Sequence, residues 1–200
     1  MKLVYMGTTR FAAAPLRALL ENQFTVSLVV TEPTDFETGE KSSLAPLAEE
    51  NGLPLLYAQG REALSALSGR IREADPDAIV VCGFGSILPP EILSIPQFGC
   101  FGIHASLLPR WRGPAPVDHA VLAGDLQSGI TIFAMTEDPD CGDIIARMPC
   151  TAAGKTRDEL YEELTGIGAW MIVYVLGALY SVIKLIPQEE ALATYAPLIR

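Results

Sequence analysis

The chain contains two histidines, and the surroundings of His104 favour acid–base chemistry. A neutral imidazole can accept or donate a proton near pH 7, and His104 lies at the end of a predicted strand, before an irregular segment rich in proline and arginine. The acidic turn at 137–143 follows a later predicted strand and could bring a carboxylate to the ring, where it would fix the tautomer. His119 falls within a predicted helix, where packing or solvent exposure is the simpler interpretation. His104 is therefore the leading candidate for a catalytic acid or base.

Two glycine-containing turns that follow predicted strands could hold a ligand. A dinucleotide-binding turn needs three glycines in the pattern G-x-G-x-x-G directly after a strand. The first turn has Gly7 followed by Thr-Thr-Arg-Phe, which argues against NAD or FAD. Gly83-Phe84-Gly85 lies after a strand, where open α/β sheets bind ligands, and is the better candidate. The alternative is that glycine serves only the backbone conformation of a tight connection.

The cysteines do not form a metal-binding pattern. Zinc sites need closely spaced ligands, and the chain has neither a C-x-x-C pair nor a neighbouring pair of histidines. We therefore expect no metal cofactor and interpret the cysteines as reduced thiols in or near the core of a cytoplasmic protein. They are Cys82, Cys100, Cys141 and Cys150.

The elements that must position these residues follow from the spacing of apolar residues. Short apolar runs alternate with amphipathic segments, which predicts an α/β fold: a Rossmann-like, mostly parallel sheet with helices on both faces. The run at 78–82 is continuously apolar, as expected of a central strand. Strands are predicted at 3–6, 26–30, 54–56, 78–82, 100–104, 130–135 and 143–148. Helices are predicted at 11–20, 44–50, 62–73, 115–122 and 156–185.

Composition limits the classes of function. The chain has 200 residues, of which 50% are hydrophobic and 19% charged, and its formal net charge is −10. A disordered chain would be poorer in apolar residues and richer in charge. Binding to a nucleic-acid backbone relies on Lys and Arg, so we expect any contact between this acidic chain and nucleic acid to be local.

The segment 164–183 is long and apolar, and Lys184 follows it directly. It reaches the length of a membrane-spanning helix, about 20 residues. However, acidic residues crowd the start of the predicted helix, as a helix N-terminus prefers, and the chain has no signal peptide at its N-terminus. We therefore expect this segment to be buried under the sheet or in a homodimer rather than in a membrane.

The run at 104–113, HASLLPRWRG, resembles the SLLP signature of the 10-formyltetrahydrofolate-dependent formyltransferases, in particular the members that formylate methionyl-tRNA. The likeness covers essentially the whole chain. It implies the formyltransferase fold, with a catalytic domain at 1–185 and, at 186–200, the start of a linker toward a C-terminal domain that is absent. Further matching segments are Met6-Gly7-Thr8, Phe11-Ala12, Gly124-Asp125, Gly129-Ile130-Thr131, Asp140-Cys141-Gly142-Asp143 and the motif PQEEALATYAP at 187–197.

The resemblance also implies a reaction and the residues that perform it. A formyl group would pass from 10-formyltetrahydrofolate to an amine, with His104 acting on the tetrahedral intermediate and Asp140 holding the histidine. Gly102 occupies the position of the family's catalytic Asn. The residues implied for cofactor binding are Phe84, Gly85, Ile87, Leu88, Asp138 and Asp140. Those implied to face the substrate are Thr8, Ser106, Arg110 and Arg112.

Two departures from the family pattern bear on activity. Gly102 has no amide to donate to an oxyanion, and loss of one such donor costs about 10²–10³ in rate. We therefore expect a slow or inactive chain, whose rate Gly102→Asn would raise. The loop after Val30 is usually basic in members that bind tRNA, but here it carries Glu32, Asp35, Glu37 and Glu40. Besides formylation of initiator methionyl-tRNA, two other functions therefore stay open. The chain could formylate an amino-sugar nucleotide, or it could be a non-catalytic folate-binding module.

Overall fold

A computed structural model describes residues 1–179 and 184–199. The described chain contains a seven-stranded sheet with the order β3-β2-β1-β4-β5-β6-β7. Strands β1 to β5 are parallel, whereas β6 and β7 are antiparallel, so the predicted mostly parallel sheet is confirmed. The strands are β1 (Lys2–Gly7), β2 (Thr25–Thr31), β3 (Leu55–Tyr57), β4 (Ala78–Cys82), β5 (Cys100–His104), β6 (Gln127–Ala134) and β7 (Ile144–Thr151).

Helices cover both faces of the sheet, as predicted, and each face has its own apolar core. The first, second, fifth and sixth helices pack on one face, and the third and fourth pack on the other. The fourth has only four residues, too few to leave a periodic pattern in the sequence. The helices are α1 (Arg10–Glu21), α2 (Leu44–Glu50), α3 (Arg61–Glu73), α4 (Pro90–Leu93), α5 (Pro116–Leu122) and α6 (Arg157–Gly177).

Helix α6 accounts for most of the unusually apolar segment. Thr156 and Glu159 form a capping box at its start, which satisfies free backbone N–H groups there. Leu164 and Ile172 are buried in the core, so burial against the sheet is confirmed for this side of the helix. The other side exposes a stacked pair, Trp170 and Tyr174, and burial of that side in a homodimer stays a prediction.

The helix ends earlier than predicted. It stops at Gly177 instead of residue 185, and the predicted positions 180–183 lie outside the described residues. Five charged residues occupy its first two turns, which leaves too short an apolar stretch within the helix itself. In the part of the chain that the structure describes, no helix is both long and apolar enough to cross a membrane.

The residues 184–199, called here the C-terminal strap, run back along the loop that follows β5. Arg112 pairs with Tyr195 as in a parallel ladder, and Ile144 pairs with Ile186 in an antiparallel bridge. A single 3-10 turn at Glu190–Leu192 separates the two contacts. The strap therefore reaches both the β5 side and the β7 side of the sheet.

The strand order changes direction between β1 and β4, because the chain continues from β1 to β2 on one side and from β4 to β5 on the other. In open α/β sheets, ligands bind in the crevice outside the carboxyl ends of the strands at such a point. The loops that begin at Thr8 and Gly83 lie there. The fold thus places the second glycine turn at the expected ligand crevice.

Candidate active site

A cavity of about 420 Å³ opens at this crevice, within the size range of small-molecule sites. Its walls are mainly apolar and come from the loops after β4 and β5, the loop between β6 and β7, and the start of α6. Phe84, Gly85, Ile87, Leu88 and Asp140 line it, as the resemblance implied for the cofactor. Asp138 is exposed in the neighbouring loop and is not among the described residues that line the cavity.

The loop 83–88, called here the cofactor loop, needs glycine at two points. Gly83 has a φ of +53°, and a Cβ added there would overlap the side chain of Thr9. A Cβ at Gly85 would lie 2.8 Å from both Glu32 Oε2 and Phe36 Cδ1. The glycines therefore serve the backbone conformation, and they also let the loop approach its anchor closely.

Glu32 is that anchor, and its side chain is almost completely buried. One carboxylate oxygen accepts a hydrogen bond from Gly85 N at 3.0 Å, and the other accepts from Ser86 Oγ at 2.5 Å. Ser86 Oγ in turn accepts from Gly60 N at 2.7 Å, which joins the loop to the start of α3. A single buried carboxylate thus holds the cofactor loop in place by hydrogen bonds to its backbone and side chain.

His104 is buried at the end of β5, with one ring nitrogen bound to the backbone. Its Nε2 lies 2.7 Å from the carbonyl oxygen of Trp111. A carbonyl oxygen only accepts, so Nε2 carries the proton and Nδ1 is the basic nitrogen of the neutral ring. Nδ1 faces Asp140 Oδ1 at 3.7 Å, as the sequence predicted for this pair. The distance is too long for a direct hydrogen bond.

Asp140 is held from a second direction. Its Oδ2 accepts a hydrogen bond from Gly113 N at 2.8 Å, and its backbone has a φ of +56°. This left-handed conformation costs free energy for a residue other than glycine and persists only where the surroundings fix it. The carboxylate therefore bridges His104 and the loop that follows β5, at the wall of the cavity.

Gly102 lies two residues before His104 on the same face of β5, directly opposite Phe133 of β6. A Cβ at Gly102 would overlap the Phe133 ring, which packs with Leu108 and Ile144. The space of a side chain at position 102 is thus filled by an aromatic ring from the next strand. The expectation that Gly102→Asn raises the rate stays a prediction, and it requires the Phe133 ring to move away from position 102.

The four residues implied to face the substrate do not reach the cavity among the residues that the structure describes. Thr8 and Ser106 are buried, where Thr8 bonds to Glu32 and Ser106 donates to the carbonyl of Arg110. Arg110 forms a bidentate pair with Asp125 and lies over the Trp111 ring. Arg112 is 1% exposed. These side chains hold the loops of the site together, and their contact with an acceptor stays a prediction.

The structure explains why the loop after Val30 contains acidic residues, which the sequence alone did not. Glu32 anchors the cofactor loop, and the buried Asp35 accepts hydrogen bonds from the backbone N–H groups of Glu37 and Thr38. Two of the four acidic residues are thus internal to the fold, whereas Glu37 and Glu40 are exposed residues, although the Glu37 side chain itself is only 22% exposed. Their presence is therefore weak evidence against a nucleic-acid substrate.

Glu37 also lines the cavity, beside Arg157 of α6. Burial, and to a lesser degree the neighbouring Asp35, raises the pKa of Glu37 from 4.5 to about 7. Arg157 of α6 lies 3.6 Å from Glu37 and 3.1 Å from Asp118, and its guanidinium covers the Tyr161 ring. This end of the cavity therefore combines aromatic walls with a charged rim.

Sequence reasoning missed several residues that line this end. Arg157 and Tyr161 are four residues apart on α6, so they share a helix face, but that face was attributed only to core packing. Phe11 contacts Tyr161 edge-on, and its backbone N–H donates to the Tyr161 hydroxyl at 3.0 Å. Leu198 of the C-terminal strap also lines the cavity, and only the folded chain brings it there.

The cysteines are free thiols, and burial raises the pKa of each of them, to about 12 for Cys100. Within residues 1–179 and 184–199, no three His, Cys, Asp or Glu side chains come together as a set that could hold a metal ion.

Comparison with known proteins identifies relatives in sequence. Residues 1–176 match the family model described as formyl transferase. Methionyl-tRNA formyltransferase of Methylobacillus flagellatus is 42% identical over 205 residues, which cover 98% of this chain and 66% of the relative. The chain therefore spans just under two thirds of the length of that relative.

Solved structures share the fold at lower sequence identity. Glycinamide ribonucleotide transformylase 1 from Symbiobacterium toebii superposes with a TM-score of 0.80 at 18% identity, over 94% of each chain. An N-formyltransferase from Helicobacter canadensis, solved with folinic acid and dTDP-3-aminofucose, gives a TM-score of 0.76 at 19% identity, over 98% of this chain and 71% of the other.

Proposed function

Since the chain belongs to the formyl transferase family, we propose that it transfers a formyl group from 10-formyltetrahydrofolate to the amino group of methionyl-tRNA, in the cytoplasm. The observation that carries the proposal is the pairing of His104 Nδ1 with the Asp140 carboxylate at the wall of an apolar cavity. The relative from Methylobacillus flagellatus, similar over almost the whole chain, supports the choice of methionyl-tRNA as acceptor.

The walls of the cavity suit a flat, largely apolar donor with polar edges. Phe84, Ile87, Leu88 and Met135 supply apolar contacts, and the backbone of the cofactor loop supplies hydrogen-bonding groups. Glu32 fixes that backbone before any ligand arrives, which lowers the entropy lost on binding. The formyl group would then lie toward Asp140 and His104.

His104 is placed to move a proton in the reaction. The acceptor amine attacks the formyl carbon, a tetrahedral intermediate forms, and the nitrogen must lose a proton before the bond to the donor nitrogen breaks. Nδ1 is the free basic nitrogen and can take this proton, while Asp140 stabilises the imidazolium that results. The proton then returns to the donor nitrogen as tetrahydrofolate leaves.

The oxyanion of the intermediate lacks a side-chain donor at position 102. Phe133 fills the space of the missing side chain with an apolar ring. One such donor contributes about 10²–10³ in rate, so we propose a slow enzyme rather than an inactive one.

The test is to incubate the purified protein with 10-formyltetrahydrofolate and methionyl-tRNA and to measure formylmethionyl-tRNA. We expect slow transfer by the protein and a further loss of about 10²–10⁴ in His104→Ala. The exposed helix residue Glu50→Gln is a matched control that should keep the wild-type rate.

A second acceptor separates the remaining alternatives. If a dTDP-linked amino sugar is formylated and methionyl-tRNA is not, the protein is a sugar-nucleotide N-formyltransferase. If the donor binds, as measured by calorimetry, but neither amine is formylated, the protein is a folate-binding module and the enzymatic proposal fails.

A further inference from the structure

The C-terminal strap carries the motif PQEEALATYAP, to which the proposed reaction assigns no role. Its backbone is tied to the loop that follows β5: Arg112 N donates to the Thr194 carbonyl at 2.9 Å, and Ala196 N donates to the Arg112 carbonyl at 2.7 Å. Trp111 N donates to Thr194 Oγ1 at 2.9 Å. The strap therefore contacts the same loop whose Trp111 carbonyl accepts a hydrogen bond from Nε2 of His104.

Gln188 extends this contact to the loop that carries Asp140. Its Oε1 accepts hydrogen bonds from Arg112 Nε at 3.1 Å and Nη2 at 3.0 Å. Its Nε2 donates to the carbonyl oxygens of Asp140 at 2.8 Å and Gly142 at 2.7 Å. A guanidinium only donates and a carbonyl only accepts, so the orientation of the amide is fixed and all four of its hydrogen-bonding positions are used.

Arg112 makes this arrangement rigid. Its side chain is almost fully buried, and Nη1 and Nη2 form a bidentate pair with Glu190 at 3.0 and 2.9 Å. A buried guanidinium must keep its partners because an unpaired charge would be costly away from water. Arg112 therefore holds Gln188, and Gln188 holds the two carbonyls of the Asp140 loop.

We propose that Gln188 and Arg112 are positioning residues that keep the Asp140 carboxylate against His104, an inference that rests on the proposed function. Asp140 has a left-handed backbone, and it is held on both sides: Gln188 binds its carbonyl, and Gly113 N binds its carboxylate. Neither positioning residue lies among the described residues that line the cavity, so they act through Asp140.

Two substitutions of Gln188 test the proposal. Gln188→Leu removes the amide, whereas Gln188→Glu keeps an acceptor for Arg112 but turns an oxygen toward the carbonyls of Asp140 and Gly142. We expect both to lower kcat by up to about 10²-fold, because a misplacement near 1 Å can cost that much, with little change in KM for the donor. Glu189→Gln, at an exposed neighbour on the strap, is the matched control and should keep the wild-type kcat.

A second readout does not depend on turnover. The chain has two histidines, so ring ¹⁵N NMR resolves both, and His119→Gln assigns them. In the neutral ring, we expect Nε2 of His104 to carry the proton in both proteins, because the Trp111 carbonyl accepts from it. The ¹⁵N shift of Nδ1 should differ in Gln188→Leu, because the Asp140 carboxylate that faces Nδ1 would move away. A residue that only stabilised the fold would lower the melting temperature without changing the Nδ1 shift or the kcat of the folded protein.

The outcomes are distinct. If the wild-type protein transfers no formyl group, the proposed function fails, and the Nδ1 shift of His104 still decides whether Gln188 positions the pair. The positioning role is overturned if Gln188→Leu keeps both the wild-type kcat and the wild-type Nδ1 shift, or if Gln188→Glu restores what Gln188→Leu loses.

Discussion

The cofactor loop and Asp140, which pairs with His104, line one cavity, but the loop and the pair are held in different ways. The cofactor loop depends on a single buried carboxylate, Glu32, which bonds directly to Gly85 and Ser86. The pair depends on a relay that starts at the surface with Glu190 and passes through Arg112 and Gln188. The cofactor loop is thus held directly by one side chain, whereas the pair is held indirectly by residues of the C-terminal strap.

This difference separates binding from turnover. A hydrogen bond to the cofactor loop fixes groups that we propose contact the donor in the ground state, so its loss should weaken donor binding. A contact that aligns the pair matters mainly when a proton moves, so its loss should lower kcat. Substitutions that loosen the loop and substitutions that loosen the pair should therefore affect different kinetic constants.

We expect the largest change in kcat from adding a side-chain amide at position 102. In Gly102→Asn/Phe133→Ala, the amide gains the space now filled by the ring and can donate to the oxyanion. We expect kcat to rise by about 10²–10³ relative to the wild-type protein, with KM for the donor little changed. Steady-state formylation of methionyl-tRNA measures both constants.

The matched control is Gly102→Ala/Phe133→Ala, which makes the same cavity without the amide. Truncating a buried Phe costs about 3–5 kcal/mol of stability, so both double variants must first be shown to be folded by circular dichroism. Equal kcat values in the two double variants would mean that position 102 does not face the oxyanion. Gly102→Asn alone should lose stability because Asn and the Phe133 ring cannot share the space.

The sequence predicted the scaffold well because the scaffold depends on local patterns. The strands at 78–82 and 100–104 and the helix at 44–50 have the predicted bounds, since each is a continuous apolar run or a clear helical repeat between turn residues. The cofactor loop was found because its glycines follow a strand, and the pair because it combines residue type with a recognisable motif.

The sequence did not predict which polar residues pair with each other across long distances along the chain. The resemblance assigned Arg112 and Arg110 to the substrate, but it did not show which residues pair with them in the folded chain. The partners that bury or pair them, Glu190 and Asp125, are 78 and 15 residues away. Gly102 was recognised as a missing donor, but nothing local indicated that Phe133 fills its place. Such pairings depend on tertiary packing, which residue spacing does not encode.

We expect a smaller effect, on KM for the donor, from substitution of Glu32, which holds the cofactor loop. Glu32→Gln keeps the shape of the anchor but replaces its charged oxygens, so the bonds to Gly85 N and Ser86 Oγ weaken. We expect KM for 10-formyltetrahydrofolate to rise about tenfold, which corresponds to about 1.4 kcal/mol of binding, while kcat falls less. Ser86→Ala removes one of these bonds and should give a smaller rise. A fall in kcat at unchanged KM would contradict the separation between the loop and the pair.

The smallest effect concerns Glu37, which lies in the same loop as Glu32 but anchors neither the cofactor loop nor the pair. Its pKa is raised to about 7 by burial and by Asp35, so the folded protein binds a proton that the unfolded chain releases near pH 4.5. The stability that this proton provides is complete below about pH 4.5 and is lost as the pH rises through about 7. Glu37→Gln cannot ionise, so its free energy of unfolding should fall less between pH 5 and pH 8, by about 1–2 kcal/mol. Urea unfolding at both pH values measures the difference, with the exposed Glu40→Gln as the control. An identical pH dependence in Glu37→Gln and the wild-type protein would show that this carboxyl is ionised throughout.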